Sequence, residues 1–470
     1  MFVGRKTELQ LLEQSWNSPR GELVALYGRR RIGKSSLVEQ FLQNKYNTLL
    51  LEGLEDTSTV NQIKHCQKHL GLQKKDPLMG HLQFSNWEDF LNYLTEQYLN
   101  HFSDQKPILF IDEIQWLAAG QGKLISLIKF FWDNYWKKKN VMLILCGSVA
   151  SFMVMRVIRS KALYGRLTLE MRLQGLPPVD ALRLFNGKRN KEEVLRYLLV
   201  LGNVPKYLEE VKLNQSFNKN INRLFFTPHG LLKDEIHRIF YSQFKEANNY
   251  LRIVKLLKEK LCTPSDISKQ LSIASGGGLT SYLENLEMAG FITSHIPFGK
   301  GVRSKLKKYA LADEFLIFYY KYVEPSIMLI ENQQGTQLFE NVSSKSFESW
   351  LGFAFERFCL KNASMLSKLM GFEESVLLAS PYFERGDKAF QIDLLYQRSD
   401  NVVTVCEIKF HKHKVTTSVI PEMNKKIEKL TIPQGYSLEK ALISLYGPDK
   451  SLLNAEYFDY IVTLDDILHS

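Results

Sequence analysis

The stretch Gly28-Arg-Arg-Arg-Ile-Gly-Lys-Ser35 matches G-x4-G-K-[ST] at every fixed position. Residues 23–27, just before it, form a short apolar run typical of a buried strand, and residues 36–41, just after it, have helical spacing. A strand, a glycine loop and a helix in this order make a P-loop, whose backbone N–H groups and helix N-terminus bind phosphate. We therefore predict an ATP site formed by Gly28, Arg29, Arg30, Arg31, Ile32, Gly33, Lys34, Ser35 and Ser36.

A second half of an ATP site follows downstream. Residues 107–111 are apolar and end in Asp112-Glu113, the Walker B pattern. In such sites the lysine of the loop reaches the β- and γ-phosphates, and the serine holds Mg²⁺ together with the first acidic residue. We assign these roles to Lys34, Ser35 and Asp112, and we expect Glu113 to polarise the attacking water. The alternative, a buried strand that ends in a solvated acidic turn, does not explain the P-loop upstream.

Two further candidates belong to the same region. Ser148 follows another buried-strand run, residues 141–145, where a polar side chain can sense the γ-phosphate; the alternative is a serine in a strand-end turn. Arg166 follows a helix-like stretch and is a candidate arginine finger; such an arginine is more often a surface or packing residue.

Composition sets the class of protein. A chain of 470 residues favours several domains, and 45% hydrophobic residues suffice for packed cores. No apolar run reaches the 18 residues of a membrane helix, and the N-terminus lacks signal-peptide form. Five scattered cysteines, without CxxC or Cys/His spacing, favour reduced thiols in a cytoplasmic protein. The net charge of +11 is compatible with a polyanionic partner.

Periodicity along the chain predicts a multidomain α/β protein. Strands alternate with helices in residues 1–172, which predicts a parallel sheet of the P-loop, AAA+-like type. Residues 173–244 are helical and are predicted to form a lid, and residues 324–345 lose periodicity and resemble a linker. A winged helix-turn-helix over 245–323 and an α/β restriction-endonuclease-like domain over 346–470 complete the prediction.

The winged helix is predicted from three helices, near 250–257, 263–271 and 279–290, and two strands joined by a basic wing. Wing cations suit DNA phosphates. The third helix instead carries Glu284 and Glu287 and has no arginine or lysine to contact guanine. A helical scaffold that transmits the state of the ATPase is therefore an equal alternative. The wing cations are Lys300, Arg303, Lys305, Lys307 and Lys308.

A second chemical site is predicted near the C-terminus. Asp393 lies mid-strand, and Glu407 and Lys409, two residues apart in the next strand, leave one face. In a hairpin the three side chains can meet, as Mg²⁺-dependent phosphodiester cleavage requires: carboxylates hold the metal and lysine activates water. Glu356 stands among apolar residues of a preceding helix, where a carboxylate needs a partner such as metal or Lys409. The alternative for Glu407 and Lys409 is a solvated cross-strand face, and the alternative for Glu356 is a position on a helix surface.

These motifs resemble the archaeal-type ATPases of the STAND/AAA+ assemblage. The resemblance rests on Phe2-Val-Gly-Arg5 with Glu8, on the P-loop, and on residues 109–115, 146–148, 164–166 and 202–205. It implies an ATPase followed by a winged helix and a DUF234-type domain similar to PD-(D/E)xK nucleases. It also implies that Pro205 is a nucleotide sensor on the lid, and that Glu356, Asp393, Glu407 and Lys409 are the nuclease positions.

The chain departs from the family pattern at two places. Gly202-Asn203 replaces the usual Gly-Gly pair, and Gln391-Ile392 replaces the Pro-Asp ahead of Asp393. Two functions follow from the sequence. One is an ATP-driven switch coupled to a nuclease, in defence or mobile-element maintenance, and the other is a signalling or scaffold ATPase whose C-terminal domain only binds nucleic acid or protein. We expect a nucleic acid partner, DNA rather than RNA, and no membrane; a homo-oligomer is compatible with both functions.

Overall fold

The computed structural model describes residues 2–102, 105–118, 123–258, 260–296, 307–332, 337–384 and 390–469. The chain divides into two compact units, Met1–Leu176 and Pro177–Ser470. The border lies close to residue 172, where the sequence predicts the end of the ATPase core. No helix in these ranges is long and apolar enough to span a membrane. All five cysteines are buried and free.

The first unit contains a five-stranded parallel sheet with strand order β2-β3-β4-β1-β5. Each central strand is buried along its whole length, as expected when helices cover both faces. The strands are β1 (Glu22–Tyr27), β2 (Thr48–Glu52), β3 (Ile108–Asp112), β4 (Met142–Gly147) and β5 (Leu169–Arg172). The α-helices are Lys6–Asn17, Lys34–Leu42, Thr59–Lys74, Trp87–Gln97, Ile114–Leu117, Lys123–Phe131 and Ala150–Phe152, with 3₁₀ turns at Pro77–His81 and Leu99–His101 and π-helical turns at Trp132–Trp136 and Met153–Ile158.

The core of this unit fixes the P-loop. Leu12, Leu37 and Phe41 from the first two helices pack against apolar side chains of β1, β3 and β4. The P-loop helix is therefore held against the sheet at the carboxyl ends of β1 and β3, where the sequence places its phosphate-binding and acidic residues. Ligands of open α/β sheets bind at this edge.

The second unit begins with helices and a two-stranded antiparallel ribbon, β6 (Ile292–His295) and β7 (Lys308–Leu311). Thr263 caps the helix Pro264–Leu271 with a capping box, and proline lies in its first turn. Three helices followed by two strands is the predicted order of elements. The helices up to the ribbon are Pro178–Arg183, Lys191–Leu201, Pro205–Glu209, Phe217–Phe225, Glu235–Gln243, Ala247–Leu257, Pro264–Leu271 and Gly277–Met288.

The structure differs from the sequence prediction at residues 324–345. This stretch contains the helices Ile327–Glu331 and Leu338–Ser343. The second one is fixed by Asn222, whose side chain accepts from the Phe339 backbone N–H at 3.0 Å and donates to Glu340 at 2.5 Å. Helices of five or six residues give too little periodicity for a sequence pattern, and the long-range amide contact that orders them is not visible in sequence.

The C-terminal part contains a five-stranded mixed sheet, ordered β12-β11-β10-β9-β8. β8 (Val376–Glu384), β9 (Phe390–Arg398) and β10 (Val402–Lys409) are antiparallel, whereas β10, β11 (Ser437–Ser444) and β12 (Tyr460–Thr463) are parallel. The remaining helices are Glu314–Phe318, Phe347–Lys361, Ala363–Leu369, Val419–Lys429, Lys450–Asn454 and Leu464–His469, with a π-helical turn at Tyr319–Val323 and 3₁₀ turns at Glu324–Ser326 and Glu373–Ser375.

Candidate functional site

The P-loop has the backbone that its glycines require. Gly28 and Gly33 have φ values of 155° and 86°, and Gly28 lies so close to the Leu173 carbonyl that a Cβ would be 2.3 Å from its oxygen. Lys34 begins the following helix, and its ammonium donates to the carbonyls of Gly28 and Arg29, both at 3.0 Å. The loop therefore holds its lysine beside the backbone that would surround the phosphates.

Arg5 supports this loop from outside. Its buried guanidinium donates to the carbonyls of Ile32 at 3.1 Å and Gln174 at 2.6 Å, and it is paired with Glu8 at 3.0 Å. Arg5 and Glu8 belong to the N-terminal motif that supports the family resemblance, but the sequence indicated no role for either residue. The structure shows that Arg5 connects the P-loop to the chain segment after β5.

The two acidic residues after β3 face different partners. Asp112 is buried and accepts from the Ser35 hydroxyl at 2.7 Å. A serine hydroxyl next to a carboxylate is a suitable donor set for Mg²⁺. The Glu113 carboxylate accepts from the Ser148 hydroxyl at 2.7 Å and the Ser148 N–H at 3.2 Å. The structure thus brings together Ser35 with Asp112, and Glu113 with Ser148.

Gln115 completes the network around Glu113. Its side-chain amide donates to the Glu113 carboxylate and, at 3.2 Å, to the Ser148 hydroxyl. A Cβ at Gly147 would lie 2.7 Å from the Gln115 amide oxygen, so a larger residue there would displace the Gln115 side chain. Sequence reasoning gave Gln115 no role, although it lies in the motif that follows the Walker B strand. Glu113 is therefore held in place by an amide and a hydroxyl, both neutral.

The contacts of Arg166 and the position of Pro205 do not test the roles predicted for these residues, which stay predictions. The Arg166 guanidinium makes a two-point ion pair with Asp133, at 2.7 and 2.9 Å, and this hydrogen bond lowers the pKa of Asp133. Pro205 starts the helix Pro205–Glu209 in the second unit. Nearby Gly202 has a φ of 68°, and a Cβ there would lie 3.0 Å from a carboxylate oxygen of buried Glu314.

The C-terminal site is built on the antiparallel pair β9 and β10. The last paired residues are Leu394 and Cys406, so Asp393 and Glu407 follow as neighbours on one face of the sheet. Lys409 leaves the same face two residues later and forms an ion pair with Glu407 at 2.9 Å. The structure thus brings Glu407 and Lys409 into contact and places Asp393 beside Glu407 in the sheet register.

Glu356 joins this group from the helix Phe347–Lys361. Burial raises the pKa of Glu356 to about 7, and the negative charge of Asp393 contributes to the rise. Burial also raises the pKa of Asp393, against the effect of Lys426, while Glu407 adds to the rise. We call Glu356, Asp393 and Glu407 the carboxylate cluster. Each of its members affects the ionisation of another, which requires proximity.

Lys426 is a member of the site that sequence reasoning missed. Its ammonium pairs with the second oxygen of Glu407 at 2.7 Å. It comes from the helix Val419–Lys429, which packs on this face of the sheet through Met423. The signal in the sequence was weak, because Lys425, Lys426 and Lys429 all occur on one helix and only the fold shows which one points inward.

The fit of a metal differs between the two sites. Carboxylate oxygens are the ligands that Mg²⁺ prefers. Within the described ranges, however, no group of three or more His, Cys, Asp and Glu side chains is arranged to hold a metal ion. At the carboxylate cluster the ligand type fits, but both oxygens of Glu407 are paired with ammonium groups.

Comparison with known proteins identifies the N-terminal half. Residues 2–211 match an ATPase domain found predominantly in Archaea. The chain therefore carries an ATPase domain of this family. Residues 319–420 match DUF234, a family of archaeal and bacterial proteins of unknown function. The predicted resemblance to archaeal-type ATPases with a DUF234-type domain is thereby confirmed.

Individual relatives agree with this assignment. The ATPase is 28% identical over 416 residues to the uncharacterized protein MJECL04 of Methanocaldococcus jannaschii, covering 87% of this chain and 88% of the relative. The uncharacterized ATP-binding protein MJ0423 of the same organism is 56% identical over 45 residues, 10% of this chain and 76% of the relative. Among solved structures, the Walker-type ATPase PABY2304 of Pyrococcus abyssi has a TM-score of 0.51 at 21% identity, over 68% of this chain and 96% of that chain, which shows a shared fold.

Proposed function

We propose that this ATPase is an ATP-driven switch that controls a Mg²⁺-dependent nuclease in its C-terminal part. The observation that carries the proposal is the position of Asp393, Glu407 and Lys409 on one face of β9 and β10, with Glu356 coupled to them. Two or three carboxylates that hold a metal, and a lysine that orients water, are the groups needed to hydrolyse a phosphodiester.

The ATPase half of the proposal assigns roles within the nucleotide site. Lys34 contacts the β- and γ-phosphates, and Ser35 and Asp112 hold Mg²⁺. Glu113 polarises the attacking water. Its contact with Ser148, 2.7 Å long, supports a link between the residue that would sense the γ-phosphate and the residue that would act as base.

A nucleic acid substrate is proposed for the C-terminal site, with DNA favoured over RNA. Exposed lysines follow β10, at Lys412 and Lys414. Polyanion binding draws most of its affinity from such groups. The free buried cysteines are compatible with the cytoplasmic location that we propose for this activity.

The predicted winged helix contributes to the same proposal in a limited way. Lys300, Arg303 and Lys305 lie outside the described residues. Lys307 forms an ion pair with Glu287 at 3.3 Å, and Lys308 lies on β7. The acidic third helix supports phosphate contact from the wing without base recognition.

Incubation of the full chain with plasmid, linear DNA and RNA tests this function. Each substrate is combined with Mg²⁺ or Mn²⁺, with and without ATP, for the parent, Lys409→Ala and the control Lys368→Ala, which changes an exposed lysine of the helix Ala363–Leu369. We expect cleavage by the parent and the control, with a rate that depends on ATP, and none by Lys409→Ala. An inactive parent under every condition would refute the nuclease and leave the binding-only domain.

The pairing of both Glu407 oxygens with lysines favours that second function, a C-terminal domain that binds nucleic acid or protein without cutting it. Retained binding of labelled DNA by an inactive parent would support it. Cleavage that disappears in Lys409→Ala would exclude it.

A further inference from the structure

The ion pairs of Glu407 leave neither oxygen of its carboxylate unpaired. Its side chain is 2% exposed; one oxygen is 2.9 Å from the Lys409 ammonium and the other is 2.7 Å from the Lys426 ammonium. Lys409 also pairs with Glu422 at 3.0 Å, so its charge is shared. Lys426 is therefore the ammonium that neutralises the inner side of the site.

The position of Lys426 is fixed by the helix Val419–Lys429. Val419 and Met423 are 2% and 0% exposed and anchor one face of this helix. Lys426 follows Met423 by three residues and Val419 by seven, so it lies on the anchored face. Lys425, one residue earlier, is exposed and points elsewhere.

The charge of Lys426 also acts on the rest of the carboxylate cluster. Burial and neighbouring carboxylates raise the pKa of Glu356 and of Asp393, and Lys426 opposes the rise at both residues. A single ammonium that pairs with Glu407 and affects both other carboxylates has the place and the charge that a metal ion would have.

Resting on the proposed function, we infer that Lys426 is an internal counter-cation that a divalent metal must displace from Glu407. Mg²⁺ would bind carboxylate oxygens at about 2.0–2.1 Å. The Lys426 ammonium, 2.7 Å from one oxygen of Glu407, would compete with it for that oxygen. The metal and the ammonium repel each other, and the flexible lysine stem, 24% exposed, allows the ammonium to move outward. Lys426 is thus a positioning residue that sets the metal affinity of the site.

Manganese binding to the full, nucleotide-free chain tests the inference without relying on cleavage. All variants carry Asp112→Asn, which weakens the metal site of the P-loop, and free Mn²⁺ is measured by electron paramagnetic resonance. We expect Lys426→Met to bind Mn²⁺ about tenfold more tightly, because loss of a nearby like charge favours the cation by at least one logarithmic unit. The control Lys425→Met should bind as the parent does, and adding Asp393→Asn should remove the gain.

Unchanged or weaker Mn²⁺ binding by Lys426→Met would overturn the inference, as would the absence of Mn²⁺ binding in every variant. Lys426→Gln keeps a donor to Glu407 and provides a folded comparison if the methionine variant unfolds; it should show the same tightening. A purely structural role for Lys426 would lower affinity and never raise it. If Lys426→Met binds Mn²⁺ more tightly but the parent does not cleave, the inference stands and the nuclease is refuted. If the parent cleaves but Lys426→Met binds Mn²⁺ with the parental affinity, the nuclease stands and the inference is refuted.

Discussion

The nucleotide site and the carboxylate cluster both contain acidic residues, but these residues are neutralised differently. Asp112 and Glu113 accept hydrogen bonds from Ser35, Ser148 and Gln115, which are neutral groups. Glu407 is paired with two lysines. Neutral donors leave the negative charge of the nucleotide site available to a metal and its nucleotide. The carboxylate cluster already has its counter-charges, so a metal there must compete.

The largest effect in the comparison of the two sites is expected for ATP hydrolysis when Glu113 is replaced. Glu113→Gln should lower the rate of ATP hydrolysis by about 10²- to 10⁴-fold, because general base catalysis contributes that much. Binding of ATP should persist, since Lys34 and Ser35 are unchanged. Steady-state phosphate release checks this, with Glu52→Gln as a control, an exposed glutamate beside Asp112 in the sheet register. Normal turnover by Glu113→Gln would place the base elsewhere.

The next largest effect is expected at Lys34. Lys34→Ala should weaken ATP binding by about 1.5–3 kcal/mol, the value of a hydrogen bond to a charged group, which is roughly 10- to 150-fold in affinity. Calorimetric titration measures this, and Lys64→Ala, an exposed lysine of the same unit, serves as a control. Equal affinity in Lys34→Ala would show that the phosphates bind elsewhere.

A prediction at Glu356 tests the electrostatics of the carboxylate cluster. Burial raises its folded-state pKa to about 7 from 4.5, so the folded protein binds this proton more tightly than the unfolded chain. The stability that the proton contributes is complete below about pH 4.5 and is lost as the pH rises to about 7. The glutamine of Glu356→Gln does not ionise, so this variant cannot lose that stability as the pH rises. The variant should therefore gain on the order of 1–2 kcal/mol in free energy of unfolding relative to the parent between pH 5 and pH 8, allowing for partial exposure.

Urea unfolding at several pH values measures this difference, with the exposed residue substitution Glu374→Gln as a control. Saturating Mn²⁺ should reduce the pH dependence in the parent, because a bound cation lowers the pKa of a carboxyl group. A variant and a parent with parallel pH profiles would show that Glu356 titrates normally.

The smallest effect is expected in the predicted wing. Replacing Lys300, Arg303 and Lys305 by glutamine should flatten the salt dependence of duplex DNA binding by about 0.9 for each lost phosphate contact. Fluorescence anisotropy across a salt series measures the slope. An unaltered slope would favour the scaffold function of this region.

Sequence alone predicted the strand, loop and helix of the P-loop and the Walker B strand, because these are continuous segments whose neighbours along the chain are also neighbours in space. It predicted Asp393, Glu407 and Lys409 together for the same reason, since a hairpin has a fixed register. It missed Lys426 and Gln115, which depend on packing of a later helix and on the space that Gly147 leaves. It also took residues 324–345 for a linker, because two short helices, the second of them held by Asn222, leave no periodic pattern.

The central claim, that one chain carries an ATPase and a separate metal-dependent nuclease under its control, is tested most directly by measuring both activities in the same samples. Parent, Glu113→Gln and Asp393→Asn are each incubated with Mg²⁺, ATP and DNA, and phosphate release and strand cleavage are followed together. We predict that Asp393→Asn hydrolyses ATP normally and does not cut, whereas Glu113→Gln loses ATP turnover and cuts at a rate different from the parent. Cleavage by Asp393→Asn at the parental rate, or the same cleavage rate in Glu113→Gln and the parent, would contradict the claim.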